Sequence, residues 1–206
     1  MAILDYSEHP IFGGATVTMG LVANAWAFRS PLTGAVQTIG MPGTRWKMRI
    51  SWDNTVLTPA EAGIVKAGLA KLRGMANRVR VWNLAHPAPR GTALGNPYVF
   101  GAEQAGGQLV TAGWSASSTG LLLPGDMIGI GGELKMVTER VDSDANGRAT
   151  IQFEPELRAA PSNGSPVVLA RPTAVFMSSQ NESSWIELPG KRLRAPVLEL
   201  IEDLRI

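Results

Sequence analysis

Glycine and proline interrupt this chain so often that it has room for little beyond short strands and turns. The 23 glycines and 14 prolines are scattered between short apolar runs rather than gathered into low-complexity tracts. That punctuation belongs to a mainly β protein with many turns. At 206 residues the chain can form one domain or two small ones.

Residues 1–44 read as strands broken at Gly13-Gly14, Ser30-Pro31 and Met41-Pro42-Gly43. From Trp46 to Trp52 the residues alternate, with Trp46, Met48, Ile50 and Trp52 on one face and Lys47, Arg49 and Ser51 on the other. This is the pattern of a half-buried strand. Thr58-Pro59-Ala60-Glu61 then opens the one convincing helix, expected over about 58–76. Thr58 can cap it, Pro59 suits its first position and Glu61 completes a capping box. Ile64, Val65, Gly68, Leu69, Leu72 and Met75 follow at helical spacing, and glycines at 63, 68 and 74 call for packing against a sheet. Arg78–Trp82 returns to strand alternation.

Periodicity is lost from Asn83 to Pro97, which makes this stretch the candidate domain boundary. Beyond it, strands are expected at 98–100, 108–111, 127–130, 134–138, 149–153 and 167–169, the spacing of a small barrel. Strands at 173–178 and 184–188 follow, and the tail 195–206 fits either a strand or a short helix.

Several constellations invite a chemical reading. Asp142-x-Asp144-x-Asn146-Gly147 matches the first half of a calcium-binding EF-hand loop. The bidentate Glu required at the twelfth position is replaced by Phe153, and Glu154 comes one residue late, on the other face of a strand. The stretch therefore reads as a hairpin turn, with Asn146-Gly147 supplying positive φ angles. Gly125 to Gly132 is glycine-rich, yet it has neither dinucleotide spacing nor a following Gly-Lys-Ser/Thr, so Pro124-Gly125-Asp126 and Gly131-Gly132 read as turns.

No cysteine is present, which excludes thiolate-held zinc, iron–sulfur clusters and cysteine nucleophiles. His9 and His86 each precede a proline and read as loop residues, and no Gly-x-Ser-x-Gly elbow occurs. The carboxylate pairs Glu154/Glu156 and Glu202/Asp203 read as ordinary surface charge. No catalytic residue, cofactor or metal site is expected. Of the tryptophans, Trp114 lacks a periodic partner: it is either core or an exposed contact for a protein partner or a glycan.

The formal charge is +2, and the basic run Lys191-Arg192-Leu193-Arg194 is too short for a dedicated nucleic-acid surface. The first basic residue is Arg29, with Asp5 and Glu8 before it, the reverse of a secretory signal, and no apolar run is long enough to span a membrane. A soluble, internally expressed protein is expected.

Taken in order, these motifs resemble a known family. Ser30-Pro-Leu-Thr-Gly34 leads to the alternating tryptophan strand, the capped helix and Pro89-Arg-Gly91. A β-rich insert then carries Leu122-Leu-Pro-Gly-Asp-Met-Ile-Gly-Ile-Gly131, Leu134-Lys-Met-Val137, Asp144-Ala-Asn-Gly-Arg-Ala-Thr-Ile-Gln-Phe153, Pro155-Glu-Leu-Arg158, Pro161 and Pro166-Val-Val-Leu169. The order resembles the distal tail proteins of long-tailed bacteriophages, which form the adaptor ring between tail tube and tail tip, and it covers most of 30–186.

The resemblance implies a tail-tube-like β-sandwich or barrel domain from 1–92 plus 170–206, with an OB-like β-barrel inserted at 93–169. It implies a virion protein at the tail tip, assembled in the bacterial host cytoplasm as a hexameric ring, with tail-tube and hub or baseplate proteins as partners. Genome DNA would pass through the lumen without specific binding, which the near-neutral charge suits, and no membrane insertion is expected. The alternatives are a carbohydrate-binding module contacting the host surface, or another tail connector or terminator ring.

Overall fold

A computed structural model describes residues 2–5, 15–52, 56–194 and 197–205; Gly13-Gly14 and His9 lie outside them. The protein is mainly β, with one packed helix. Among the described residues no helix is long and apolar enough to cross a membrane.

The first sheet has six strands. Its central ones are β5 (Arg45–Ser51), β7 (Arg78–Trp82), β14 (Thr173–Ser178) and β17 (Val197–Glu202), and its edges are β1 (Ile3–Asp5) and β2 (Thr16–Val22). The spatial order is β1-β7-β14-β17-β5-β2, with β1 parallel to β7 and every other pairing antiparallel. The tail thus forms a strand, resolving the choice the sequence left open. On β5 the expected alternation is realised: Trp46, Met48 and Ile50 are buried and Lys47 and Arg49 are exposed. The inward residues join Val79, Val81, Phe176, Leu198 and Leu200 in one core.

Helix α1 (Pro59–Leu72) covers part of that core through Ala62, Val65, Leu69 and Leu72. The capping box is in place: Glu61 N donates to Thr58 Oγ1 at 3.4 Å, and Thr58 N donates to Glu61 Oε2 at 2.9 Å. Thr58→Ala is expected to lower stability by about 1 kcal/mol, measured by urea unfolding. The helix is shorter than its apolar spacing predicts. Arg73 caps it in the left-handed region at φ 50°, and Gly74 follows at φ 59°. A Cβ on Gly74 would lie 2.4 Å from the Asn181 carbonyl oxygen, so the chain must turn there with a glycine. Met75 consequently falls outside the helix. Beside α1 lies a small sheet of β6 (Val56–Leu57), β15 (Ile186–Leu188) and β16 (Arg192–Arg194), in the order β15-β16-β6.

The second six-stranded sheet comprises β8 (Gly95–Val99), β9 (Gly106–Trp114), β10 (Met127–Ile130), β11 (Glu133–Val137), β12 (Arg148–Leu157) and β13 (Val167–Val168). Its order is β13-β10-β11-β12-β9-β8. A bridge between Tyr98 and Pro166 brings the two ends together, and Val99 N donates to Ser165 O at 2.9 Å, so the sheet is a nearly closed barrel. Its own core contains Leu109, Leu122, Ile128, Ile130, Ile151 and Phe153. β10 and β11 are joined by Gly131 at φ 57° and Gly132 at φ 84°, the two positive-φ residues that a two-residue hairpin requires.

In sequence the barrel lies between β7 and β14, which are neighbours in the first sheet and pair Trp82 with Thr173. The segment leading into it is held by Asp126, which is 1% exposed. This carboxylate accepts from Arg90 N at 2.9 Å, Leu123 N at 2.8 Å and Gly91 N at 3.3 Å. Burial works to raise the pKa of Asp126, but these amides and the Arg90 guanidinium outweigh it and hold the group below its ordinary value. A depressed folded-state pKa contributes stability that is present above the unfolded value of about 4 and is lost as pH falls through the folded one. Asp126→Asn is therefore expected to be less stable than the parent at pH 7, with the difference shrinking below about pH 4 in pH-dependent thermal melts.

The two sheets are joined by polar contacts beneath an apolar seam. Met127 and Leu134 of the barrel pack into the first core, and Trp46 Nε1 donates to Leu134 O at 2.8 Å. Lys135 Nζ lies fully buried 2.6 Å from Glu133 Oε2 and also donates to Glu156 O at 2.8 Å. Arg158 Nη1 reaches Glu202 Oε1 of β17 at 2.9 Å, while Glu202 Oε2 accepts from Trp46 N at 3.1 Å. Burial pulls the Lys135 ammonium below its ordinary pKa, and Glu133 opposes that.

Glu202 and Asp203, read from the sequence as surface charge, are therefore corrected: they are 1% and 4% exposed. Glu202 occupies an inward position of β17 and is tolerated because Arg158 and a backbone amide reach it. Asp203 takes the guanidinium of Arg78, itself 3% exposed, and that of Arg205.

Candidate assembly surface

The residues that most need a partner lie outside both cores. β3 (Ala25–Arg29) and β4 (Val36–Gly40) form a two-stranded sheet of their own, and all ten residues are exposed. The register pairs Trp26 with Ile39 and Phe28 with Gln37 on one face, and Ala27 with Thr38 and Arg29 with Val36 on the other. Trp26 is 69% exposed, Phe28 66% and Ile39 66%. Leu32, at the tip, is 94% exposed.

Local chemistry explains why this arm is a hairpin. Pro31 suits the turn, and Gly34 at φ 71° donates from its amide to Ser30 O at 3.0 Å. Ser30 N donates to Ala35 O at 2.8 Å, closing the tip. At the base, Asn24 Nδ2 donates to Pro42 O at 2.7 Å and Met41 N donates to Asn24 O at 2.7 Å. The hydrogen bonds define the hairpin, yet no described segment of the body covers its side chains. An isolated two-stranded ribbon is marginal in water, and burying each large apolar side chain is worth about 1.5–3 kcal/mol. The arm is thus built to be stabilised by contact with another surface.

Arg29 is the only charged residue between positions 23 and 44. Among the described residues, β1 and β2 are the edges of the same sheet from which the arm springs.

The residues singled out from the sequence fall elsewhere. Trp114 ends β9 with 5% exposure, and its Nε1 donates to Thr111 Oγ1 at 2.8 Å, so its ring belongs to the barrel core and offers no open face for a sugar to stack on. Its backbone is overlain by Gly147, where a Cβ would meet Trp114 O at 2.3 Å. Asp142 and Asp144 do not converge. Asp142 Oδ1 accepts from Gly120 N at 2.5 Å and Arg140 Nε at 2.9 Å, whereas Asp144 Oδ1 accepts from Asn146 N and Arg148 N, both at 2.8 Å.

The connection is a turn, but of another kind than the two-residue hairpin expected. Gly147 alone has positive φ, at 70°, Asn146 does not, and Asp144 caps the loop through its side chain. His86 lies in the irregular segment after β7, and Glu154 and Glu156 are exposed on β12.

Sequence reasoning did not single out Trp26, Phe28 and Ile39, whose alternation is that of any half-buried strand. Leu32 was the available signal, an apolar residue at the centre of a Ser-Pro-x-Thr-Gly turn where polar residues are expected. No family model matches this sequence, and no curated protein matches it.

Proposed function

We propose that this chain is a structural subunit of a bacteriophage tail, of the distal-tail type: a ring-forming protein that joins the tail tube to the tail tip around the channel through which DNA leaves. The observation that carries the reading is the exposed apolar arm β3–β4, a feature that needs a neighbouring subunit and no substrate. The motif order from Ser30 to Leu169 supports the family. The formal charge of +2 suits a channel wall that lets DNA pass, since a strongly basic lining would bind phosphate and slow it. The glycan-binding alternative loses its anchor with the burial of Trp114.

Native mass spectrometry and negative-stain imaging, with and without a tail-tube protein, test the reading. Six-fold rings are expected. A persistent monomer with hydrolytic activity would overturn it.

A further inference from the structure

The alternation of β5 hides a line of charge. Arg45, Lys47 and Arg49 take successive outward positions on that strand, each separated from the next by a core residue. They form no basic run in the sequence, yet they stand in a row on one face of the first sheet. Directly paired residues share that face. β2 sets Gly20 beside Lys47 and Thr18 beside Arg49, and β17 sets Ile201 and Glu199 against the same two. Elsewhere on the face Arg80 reaches Asp5 at 3.7 Å, and Asp203 takes Arg78 and Arg205. Helix α1 and the barrel residues Met127 and Leu134 pack on the opposite, core side.

The balance on this face is cationic. Among the described residues Arg45, Lys47, Arg49, Arg78, Arg80 and Arg205 meet three anions, Asp5, Glu199 and Asp203. One face thus holds a formal excess of three positive charges, where the whole chain carries +2. The three anions are already committed. Asp5 and Asp203 hold the cations named with them, and Glu199 leans to Lys47 across 3.8 Å while accepting from Ser179 Oγ at 3.4 Å. Arg45 and Arg49 have no ion-pair partner among the described residues. Lys47 keeps 48% of its side chain in solvent.

We propose that this face meets the phosphate backbone of duplex DNA. Outward residues two apart on a strand lie about 7 Å from one another, which matches the axial rise of two phosphates on one DNA strand. β2 flanks the cations with Thr16, Thr18 and Gly20, all exposed, and a Cβ on Gly20 would meet nothing within 4 Å. A broad polyanion can therefore lie flat along the row, with hydroxyl donors beside the cations. No outward residue of β2, β5 or β17 is aromatic, so the anchor around which a protein interface is built is missing. The inference rests on the ring reading above for what brings duplex DNA to this chain, and it adds which face turns to the channel. Two or three phosphate contacts per subunit read no sequence and can be exchanged as the duplex slides.

Fluorescence anisotropy of a labelled duplex of about 30 base pairs and arbitrary sequence, titrated with the full chain from about 25 to 300 mM NaCl, tests the proposal. Binding is expected, and log K should fall against log salt with a slope of about −2 to −3, roughly 0.9 per phosphate contacted. Arg45→Gln/Arg49→Gln is expected to weaken binding about tenfold at the lowest salt and to flatten the slope by about 2. Lys71→Gln/Arg194→Gln removes the same charge from exposed positions on α1 and β16, and it is expected to change affinity by about twofold at most. Gly20→Lys adds a cation beside Lys47 and is expected to steepen the slope by about 1. Thermal melts check that each variant is folded. A parent that binds no duplex at the lowest salt, or an Arg45/Arg49 variant that loses no more than the control, overturns the proposal, and six-fold rings would then leave the ring reading standing. Self-association lost in the Arg45/Arg49 variant, with no duplex bound by the parent, overturns it in favour of an acidic protein surface. Duplex bound through this face by a chain that never forms rings supports the face and overturns the ring.

Discussion

Replacing Ala25–Gly40 with a short Gly-Ser turn is expected to give a folded monomer that no longer assembles. The two parts of that result have separate causes. All ten strand residues of the arm are exposed, so its removal takes nothing from either core, and the melting temperature should stay within a few degrees of the parent. Assembly is affected far more strongly. Three large side chains, Trp26, Phe28 and Ile39, are each about two-thirds exposed. At about 1.5–3 kcal/mol per buried side chain they account for several kcal/mol per contact, enough to move a micromolar association beyond reach. Analytical ultracentrifugation of the arm-less chain, beside its thermal melt, checks both halves. An arm-less protein that still forms the parent's oligomer would assign assembly to the sheet edges instead. A milder version, Trp26→Ser with Phe28→Ser, should weaken association without changing the melt.

The second large effect concerns the joint between the two sheets. Glu202→Ala is expected to cost about 3–5 kcal/mol, the usual result of removing one partner from a buried charge pair, and about 10 °C in Tm for a chain of this size. The variant strands Arg158, which is 19% exposed, and leaves the amide of Trp46 without its acceptor. Glu133, Lys135, Arg158 and Glu202 balance as two anions and two cations, so a single deletion unbalances the whole group. Glu202→Gln keeps an acceptor for Trp46 N and should lose less. Calorimetry adds a sharper readout. The parent should melt in one transition, because Met127, Leu134 and the ion cluster couple barrel and sheet, whereas Glu202→Ala should separate into two. A variant that melts as the parent does would show that apolar contact alone makes the joint.

Much of the architecture can be read along the chain because it is set by local alternation. Trp46 to Trp52, Arg78 to Trp82 and Ala149 to Phe153 carry a period of two, and the structure makes strands of all three. The capping box at Thr58 and the Gly131-Gly132 turn follow from backbone chemistry confined to a few residues. What escaped the sequence depends on contacts between distant segments. The end of α1 is set by the approach of Asn181 to Gly74, more than a hundred positions away. Asp144 caps its own loop in place of the Asn146-Gly147 hairpin turn because its side chain reaches two amides, an outcome the dipeptide does not announce. Glu202 and Asp203 look like surface charge until Arg158 and Arg78 are brought to them by other strands. The arm is the extreme case. The alternation of Trp26 and Phe28 states that a face will be buried, but not that the described residues of the chain leave it exposed.

The pairing of Trp82 with Thr173 has a consequence for how such a chain can diversify. Both ends of the barrel segment emerge from adjacent strands of one antiparallel pair, so the body sees the barrel as an elaborate hairpin loop. A larger module, a smaller one or a bare turn could hang from the same two residues, while the arm, encoded outside 93–169, keeps its geometry. The toll falls on one place. The barrel supplies Arg158 to Glu202 and the Leu134 carbonyl to Trp46 Nε1, so any replacement must supply a cation and an acceptor there, or Glu202 must change with it. Sequence change in the hanging module is thereby tied to one position of β17, a coupling that paired substitutions in related chains would record.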